Sequence, residues 1–81
     1  MKATVLVRPK AGILDAQGEA VESSLRHLGF DVSGARVGRV IDLEVDETDA
    51  ARAHERVEQM CRQLLANPLI ESYEIALEDR G

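Results

Sequence analysis

The chain has 81 residues, with 10 Lys and Arg against 15 Asp and Glu, a formal net charge of −5. Hydrophobic residues make up 44%, and Phe30 and Tyr73 are the only aromatic side chains. With the acidic excess spread along the chain and two rings in all, neither a cationic phosphate-tracking face nor a base-stacking platform is expected, which argues against nucleic acid as a partner.

The length fits a single domain over residues 1–81. A chain of this size buries only about 60–65% of its unfolded surface, so oligomerisation is an expected source of stability. Cys61 is the lone cysteine and has no intramolecular partner, which suits a reducing, cytoplasmic setting. The apolar run over residues 3–7 is cut by Arg8-Pro9-Lys10, too short for a signal peptide. No apolar run approaches the ~20 residues that span a bilayer, so no membrane association is expected.

Residues 2–8 read as a β-strand, with Ala3, Val5 and Val7 on one face, closed by Pro9 and Gly12. Asp15 is a helix N-cap whose carboxylate can accept from the Gly18 N–H, and Val21, Leu25 and Leu28 recur at helical spacing. That predicts a first helix over about 16–28, ended by Gly29. From Phe30 period-two alternation returns, giving a second strand to Val37. A Gly38-Arg39 hairpin turn with positive φ at the glycine follows, then a third strand over 40–45 with Ile41, Leu43 and Val45 inward.

Thr48 and Asp49 open a second helix with the stripe Ala53, Val57, Met60, Cys61 and Leu64. Asn67-Pro68 stops it, because the residue before proline is pushed out of the helical region. A fourth strand is predicted over 69–77, with a frayed tail after it. The order βαββαβ is that of an α+β, ferredoxin-like two-layer sandwich: a four-stranded, mainly antiparallel sheet with two helices on one face. The bare sheet face, with Leu6, Val40, Ile70 and Ala76 on it, is the expected dimer surface.

No catalytic constellation emerges. Cys61 lies within an apolar stripe, where a free thiol behaves as a small hydrophobe. His27 and His54 have no second ligand at metal spacing. The acidic run Asp42, Glu44, Asp46, Glu47, Asp49 lacks the glycine and terminal glutamate of a calcium loop and reads as a solvated edge. The strongest local oddity is the loop Arg8, Lys10, Gly12, Ile13, Leu14 and Asp15. It places two cations and two apolar side chains before a helix N-terminus, a setting for a protein contact or, less readily, for a small anion. Arg36 and Arg39, beside Gly38, form a second basic spot. A dimeric small-molecule-binding regulatory domain is the rival reading, since such modules share this topology.

The strings Val7-Arg8-Pro9-Lys10-Ala11-Gly12-Ile13-Leu14-Asp15-Ala16-Gln17-Gly18, Leu28-Gly29-Phe30, Arg36-Val37-Gly38-Arg39 and Met60-Cys61-Arg62-Gln63-Leu64-Leu65-Ala66-Asn67-Pro68-Leu69-Ile70-Glu71 closely resemble the PurS subunit family of phosphoribosylformylglycinamidine synthase. The match runs nearly end to end. Ala16 stands where proline is common in that family; alanine, a good helix former, replaces it at little cost.

The resemblance implies a non-catalytic subunit of a glutamine-dependent carbon–nitrogen ligase of de novo purine synthesis. The complex converts formylglycinamide ribonucleotide, with glutamine and ATP, to formylglycinamidine ribonucleotide. It further implies that the synthetase subunit PurL uses the ATP and magnesium, that the glutaminase subunit PurQ releases ammonia, and that this chain needs no cofactor. Its own part would be to bridge the two as a homodimer, tetrameric in isolation if dimers pair, and to support ammonia transfer by positioning. Arg8, Lys10, Gly12, Ile13, Leu14 and Asp15 are then the expected partner-contact loop, with Arg36 and Arg39 second.

Overall fold

The computed structural model describes residues 1–78; the tail expected over 79–81 lies outside the described residues. The central strand β1 (Lys2–Pro9) alternates as its sequence demands, with Ala3, Val5 and Val7 fully buried. Strand β2 (Arg39–Glu44) pairs antiparallel along one edge of β1, in the register Val5 to Ile41 and Val7 to Arg39. Strand β3 (Glu71–Glu78) pairs antiparallel along the other edge, Val5 facing Ile75. The sheet order is β2-β1-β3.

Period two puts Ile41, Leu43, Tyr73, Ile75 and Leu77 on the same face as Val5, where all are packed against the core. Helix α2 (Ala50–Met60) covers this face. Asp49 caps it by accepting from the Ala51 N–H at 3.2 Å, and Ala53 and Val57 are fully buried beneath it. Cys61–Leu65 continue the helix as a single π-helical turn, closed by the Ala66 N–H donating to the Cys61 carbonyl at 3.0 Å.

The extra residue in that turn shifts the apolar register. Cys61 stays buried, but Leu65 and Ala66 face the core in place of Leu64, which is 83% exposed, and Met60 is 38% exposed. Desolvation pushes the Cys61 thiol above its ordinary range, with Glu58 adding to the effect, in keeping with a packing role. The helix stops at Asn67-Pro68, where the Asn67 side chain accepts from the Leu69 N–H and its carbonyl accepts from the Ile70 and Glu71 N–H groups.

Three expectations need correction. The described residues form a three-stranded sheet, not a four-stranded one: residues 30–38 contain no strand. Gly38-Arg39 is not a hairpin turn; the positive-φ glycines are Gly12, Gly29 and Gly34, and Arg39 is the first residue of β2. Gly34 (φ 145°), in a region L side chains rarely adopt, interrupts the 30–37 run within its alternating pattern. The outer edge of β2, where a second strand would pair, is therefore bare.

The third correction concerns helix α1 (Ala16–His27), which was expected beside α2 on the sheet. None of its residues belongs to the core or packs against it. Gly18 is its buried position, while Val21, Leu28 and the following Phe30 are 41%, 72% and 59% exposed. The helix packs on its own return segment instead. A Cβ at Gly18 would lie 2.3 Å from the Ala35 carbonyl oxygen, and the Arg26 Nε donates to the Val32 carbonyl at 2.9 Å.

Helix and return segment thus form an arm held away from the sheet. The radius of gyration is 16.0 Å, with extents of 48 × 27 × 14 Å, against roughly 12 Å for a compact chain of this length. The sheet face away from α2 is mostly polar, carrying Lys2, Thr4, Arg8, Asp42, Glu44, Ser72, Glu74 and Glu78 around Leu6, Val40 and Ala76. Ile70 lies before β3 rather than in it. The arm also leaves apolar side chains uncovered, Val21, Leu28 and Phe30.

Candidate docking surface

The loop from Lys10 to Asp15 begins with a turn in which the Ile13 N–H donates to the Lys10 carbonyl at 3.2 Å. Gly12 sits at its third position with φ of 83°, as a type II turn requires. The turn lifts Lys10, Gly12, Ile13 and Leu14 into solvent, with Leu14 77% exposed. The Lys10 N–H donates to the Ile70 carbonyl at 2.9 Å, which sets this loop beside the Asn67–Ile70 turn. Leu69 there is 84% exposed. Leu69 and Ile70 are contact candidates that a strand assignment over 69–77 hides; the uncharged Pro-Leu-Ile run just after a helix stop was the signal.

Asp15 behaves differently from the rest of the loop. Its Oδ1 accepts from the Gly18 N–H at 2.9 Å, the predicted cap, and its Oδ2 accepts from the Val37 N–H at 2.9 Å. Both carboxylate oxygens are thus spent on joining α1 to its return segment. The Gly18 and Val37 N–H groups, with the charge of Arg36 beside them, hold this carboxyl below its ordinary value of 3.8.

The linkage has a definite sign. The contribution is complete above the unfolded value and is lost as pH falls through the lower, folded one, so arm stability should decline in the acid range below about 3.8. The Gly18 and Val37 amide resonances are expected to shift together with one midpoint below 3.8, and Asp15→Asn should abolish that shared titration. Independent midpoints would refute the double cap.

Arg39 is likewise committed inside the protein. Its guanidinium meets the Glu71 carboxylate with two hydrogen bonds, at 2.7 and 3.1 Å, and also donates to the Leu65 carbonyl. Glu71 in turn accepts from the Asn67 N–H at 2.7 Å. The bidentate pair raises the pKa of Arg39 and lowers that of Glu71. This latch ties β2, the end of the α2 π-turn and β3 at one end of the sheet, so its first duty is structural.

Arg8 and Arg36, by contrast, come together with Arg39 and Gly38 around a shallow concavity of about 480 Å³ lined also by Leu6, Val7 and Val40. Arg8 from one basic spot and Arg36 and Arg39 from the other therefore line one surface, with Leu6, Arg8 and Val40 on the sheet face away from α2.

Three members of the acidic run, Asp42, Glu47 and Asp49, are engaged within the protein. Asp42 accepts from the Thr4 hydroxyl at 3.0 Å, and Glu47 accepts from the Thr48 and Asp49 N–H groups while pairing with Arg56 at 3.8 Å. Among the described residues no group of three His, Cys, Asp or Glu side chains is placed to hold a metal ion, and no helix is long and apolar enough to cross a membrane.

An antiparallel sheet backed by one helix, with a second helix on an outlying arm and Arg8 and Arg36 unpaired among the described residues where the two meet, defines a small α+β protein without a catalytic constellation among those residues. Residues 2–79 match the family model for PurS, phosphoribosylformylglycinamidine (FGAM) synthase, and the chain belongs to the PurS family. PurS is a subunit of FGAM synthase, a ligase of purine biosynthesis.

The PurS subunit of Methanocaldococcus jannaschii is 38% identical over 78 residues, covering 95% of this chain and 94% of that one. That of Synechocystis is 46% identical over 70 residues, covering 85% and 68%. The crystal structure of the M. jannaschii protein, one of the subunits of formylglycinamide ribonucleotide amidotransferase, superimposes with a TM-score of 0.86 over 99% of this chain and 98% of that one. A chain in the structure of PurLQS from Thermotoga maritima does so with a TM-score of 0.83 at 36% identity, over 93% of each. The extended protomer is therefore the family's shape, and the match leaves the regulatory-domain reading without support.

Proposed function

We propose that this chain acts as a cytoplasmic, cofactor-free homodimer that bridges a PurL-type synthetase and a PurQ-type glutaminase, so that ammonia passes between their active sites rather than into bulk water. The observation that carries the reading is the end-to-end match, at a TM-score of 0.83, to a chain of a solved PurLQS assembly. ATP and magnesium belong to the synthetase in this scheme. The benefit is one of proximity, since a delivered nucleophile reacts at an effective concentration that free ammonia does not reach.

Homodimer formation is supported by what one protomer leaves uncovered. The α1 arm exposes Val21, Leu28 and Phe30, and β2 offers a bare edge with Ile41 and Leu43 only half-buried beside α2. A second copy that lays its arm along this edge supplies the missing layer to both protomers at once, a self-complementary exchange. The exposed loop around Lys10, Gly12, Ile13 and Leu14, with Arg8 behind it, is then free to meet the larger subunits, while Asp15 and Arg39 support it from within.

Purified PurL and PurQ homologues are expected to show glutamine-dependent activity only when this chain is added, and ammonia-dependent activity without it. Lys10→Ala combined with Leu14→Ala should lower the glutamine-dependent rate roughly tenfold at limiting subunit concentration, as loss of contact residues weakens assembly. An unchanged glutamine-dependent rate with the chain left out would overturn the bridging role.

A further inference from the structure

We propose that the concavity between Arg8 and Arg36 is a receptor for a carboxylate on another subunit of the complex, an acidic side chain or a chain terminus flanked by an apolar residue; this rests on the bridging reading above and identifies one of its contacts. Every other arginine of the described residues is already ion-paired: Arg26 with Glu22, Arg39 with Glu71, Arg52 with Asp49, Arg56 with Glu47 and Arg62 with Glu58. Arg8 and Arg36 make no ion pair and no side-chain hydrogen bond among those residues. In a chain with 15 carboxylates against 10 cations, leaving two guanidinium groups unpartnered on one surface is a departure from its own pattern.

Asp15 forms no ion pair with either of them. Asp15 feels the charge of Arg36, but both of its oxygens are occupied by the Gly18 and Val37 N–H groups. Arg39, the third cation of the surface, is spent on Glu71.

The shape selects the ligand. The site is a shallow hollow of about 480 Å³ lined by the apolar Leu6, Val7 and Val40 together with Arg8, Arg36 and Arg39. A fork of N–H donors matches a planar carboxylate in bidentate fashion, and the apolar lining matches a neighbouring aliphatic or aromatic side chain. Features that would favour free phosphate are missing. The α1 N-terminus, the usual anion site, is capped by Asp15, and the backbone at Gly38 is closed against the Val7 carbonyl rather than open to a ligand. Net negative charge elsewhere on the chain makes this the place where an acidic segment is drawn in.

The test uses the full chain with purified synthetase and glutaminase subunits. Arg8→Glu with Arg36→Glu, and separately Arg8→Gln with Arg36→Gln, are compared with wild type by binding titration at several salt concentrations. Thermal melts confirm that each variant is folded. Affinity for one of the two partner subunits is expected to fall roughly 30-fold or more for the charge reversal, less for the glutamine pair, with a shallower salt dependence in both. Arg8→Lys with Arg36→Lys should recover part of the loss.

Inorganic phosphate and an N-acetylated Leu-Glu dipeptide serve as small probes in amide-shift titrations; the dipeptide should shift Arg8, Arg36 and Val40, and phosphate should not. Wild-type affinity of both charge-altered pairs for both partners would overturn the proposal while leaving the bridging role intact. Saturable phosphate binding at Arg8 and Arg36 without loss of partner affinity would also overturn it, in favour of a small-anion site. Failure of the wild-type chain to bind either partner would overturn both readings.

Discussion

Gly38→Ala is expected to destabilise the protein by about 1–3 kcal/mol, the range for forcing an atom into a packed site. Replacing glycine by alanine ordinarily stabilises by about 0.4–1 kcal/mol where the backbone conformation permits, because the unfolded chain loses freedom. Gly38 does not have positive φ, so conformation alone would allow the change. Space does not. A Cβ there would lie 2.2 Å from the Val7 carbonyl oxygen and 3.2 Å from the Val7 carbonyl carbon.

Val7 belongs to the central strand and is paired on both sides, with Arg39 and Tyr73, so its carbonyl cannot retreat cheaply. At about 4–8 °C per kcal/mol for a domain of this size, the melting temperature should fall by roughly 10 °C. Because Gly38 is where the arm joins the sheet, amide exchange should rise first at Val7, Arg39 and Tyr73. A melting temperature equal to or above that of wild type would show that the close approach is not rigid. Gly18→Ala makes a parallel case on the arm, where better helix propensity, worth about 1 kcal/mol, opposes a 2.3 Å approach to the Ala35 carbonyl.

Val57→Ala and Phe30→Ser should separate the two kinds of apolar surface. Val57 is fully buried in a core whose largest fully buried side chains are Val5, Val7, Val57 and Cys61. Removing two methyl groups there should lose about 2 kcal/mol, transfer and cavity contributions together, at every protein concentration. Phe30 is 59% exposed in the protomer, so Phe30→Ser should change the stability of an isolated protomer by less than about 0.5 kcal/mol.

Under the arm-exchange reading Phe30 is covered by the second copy, so the same change should weaken self-association roughly tenfold or more. Its cost would then appear as a concentration-dependent melting temperature. Sedimentation velocity across a dilution series distinguishes the two. An unaltered dimer constant for Phe30→Ser would place the dimer contact elsewhere.

The elements most legible in the sequence were those whose partners are local. Ala3, Val5 and Val7 alternate because one face of β1 is buried; Asp15 and Asp49 cap because a short carboxylate can reach the free N–H groups two or three residues on; Asn67-Pro68 stops a helix by sterics. The proposed docking residues were legible as residue types in odd company, Arg8 with Lys10 and Leu14, without any indication of which were free. Asp15 and Arg39 looked as available as Arg8 and Arg36 until their hydrogen bonds to Val37 and to Glu71 and Leu65 were seen.

Residues 30–37 were misread for a related reason. Alternation makes a segment competent to be a strand, but a strand exists only when a neighbour pairs with it, and within one protomer none does. The stripe of α2 drifted because one extra residue in a π-turn rotates everything after Cys61, which composition does not reveal.

By itself, then, the sequence determined a small, acidic α+β chain with one apolar face per element, and its motif strings determined the PurS family. Those features are set by short-range periodicity, capping and length. Only the tertiary structure decided that α1 stands off the sheet on an arm, that the described residues leave the fourth strand position empty, and that Arg8 and Arg36 are the arginines among them left without an acid. Each of these depends on contacts between residues about 20 to 40 apart in the chain, whose outcome turns on whether two surfaces of the same protomer can reach each other at lower free energy than they can reach a second molecule.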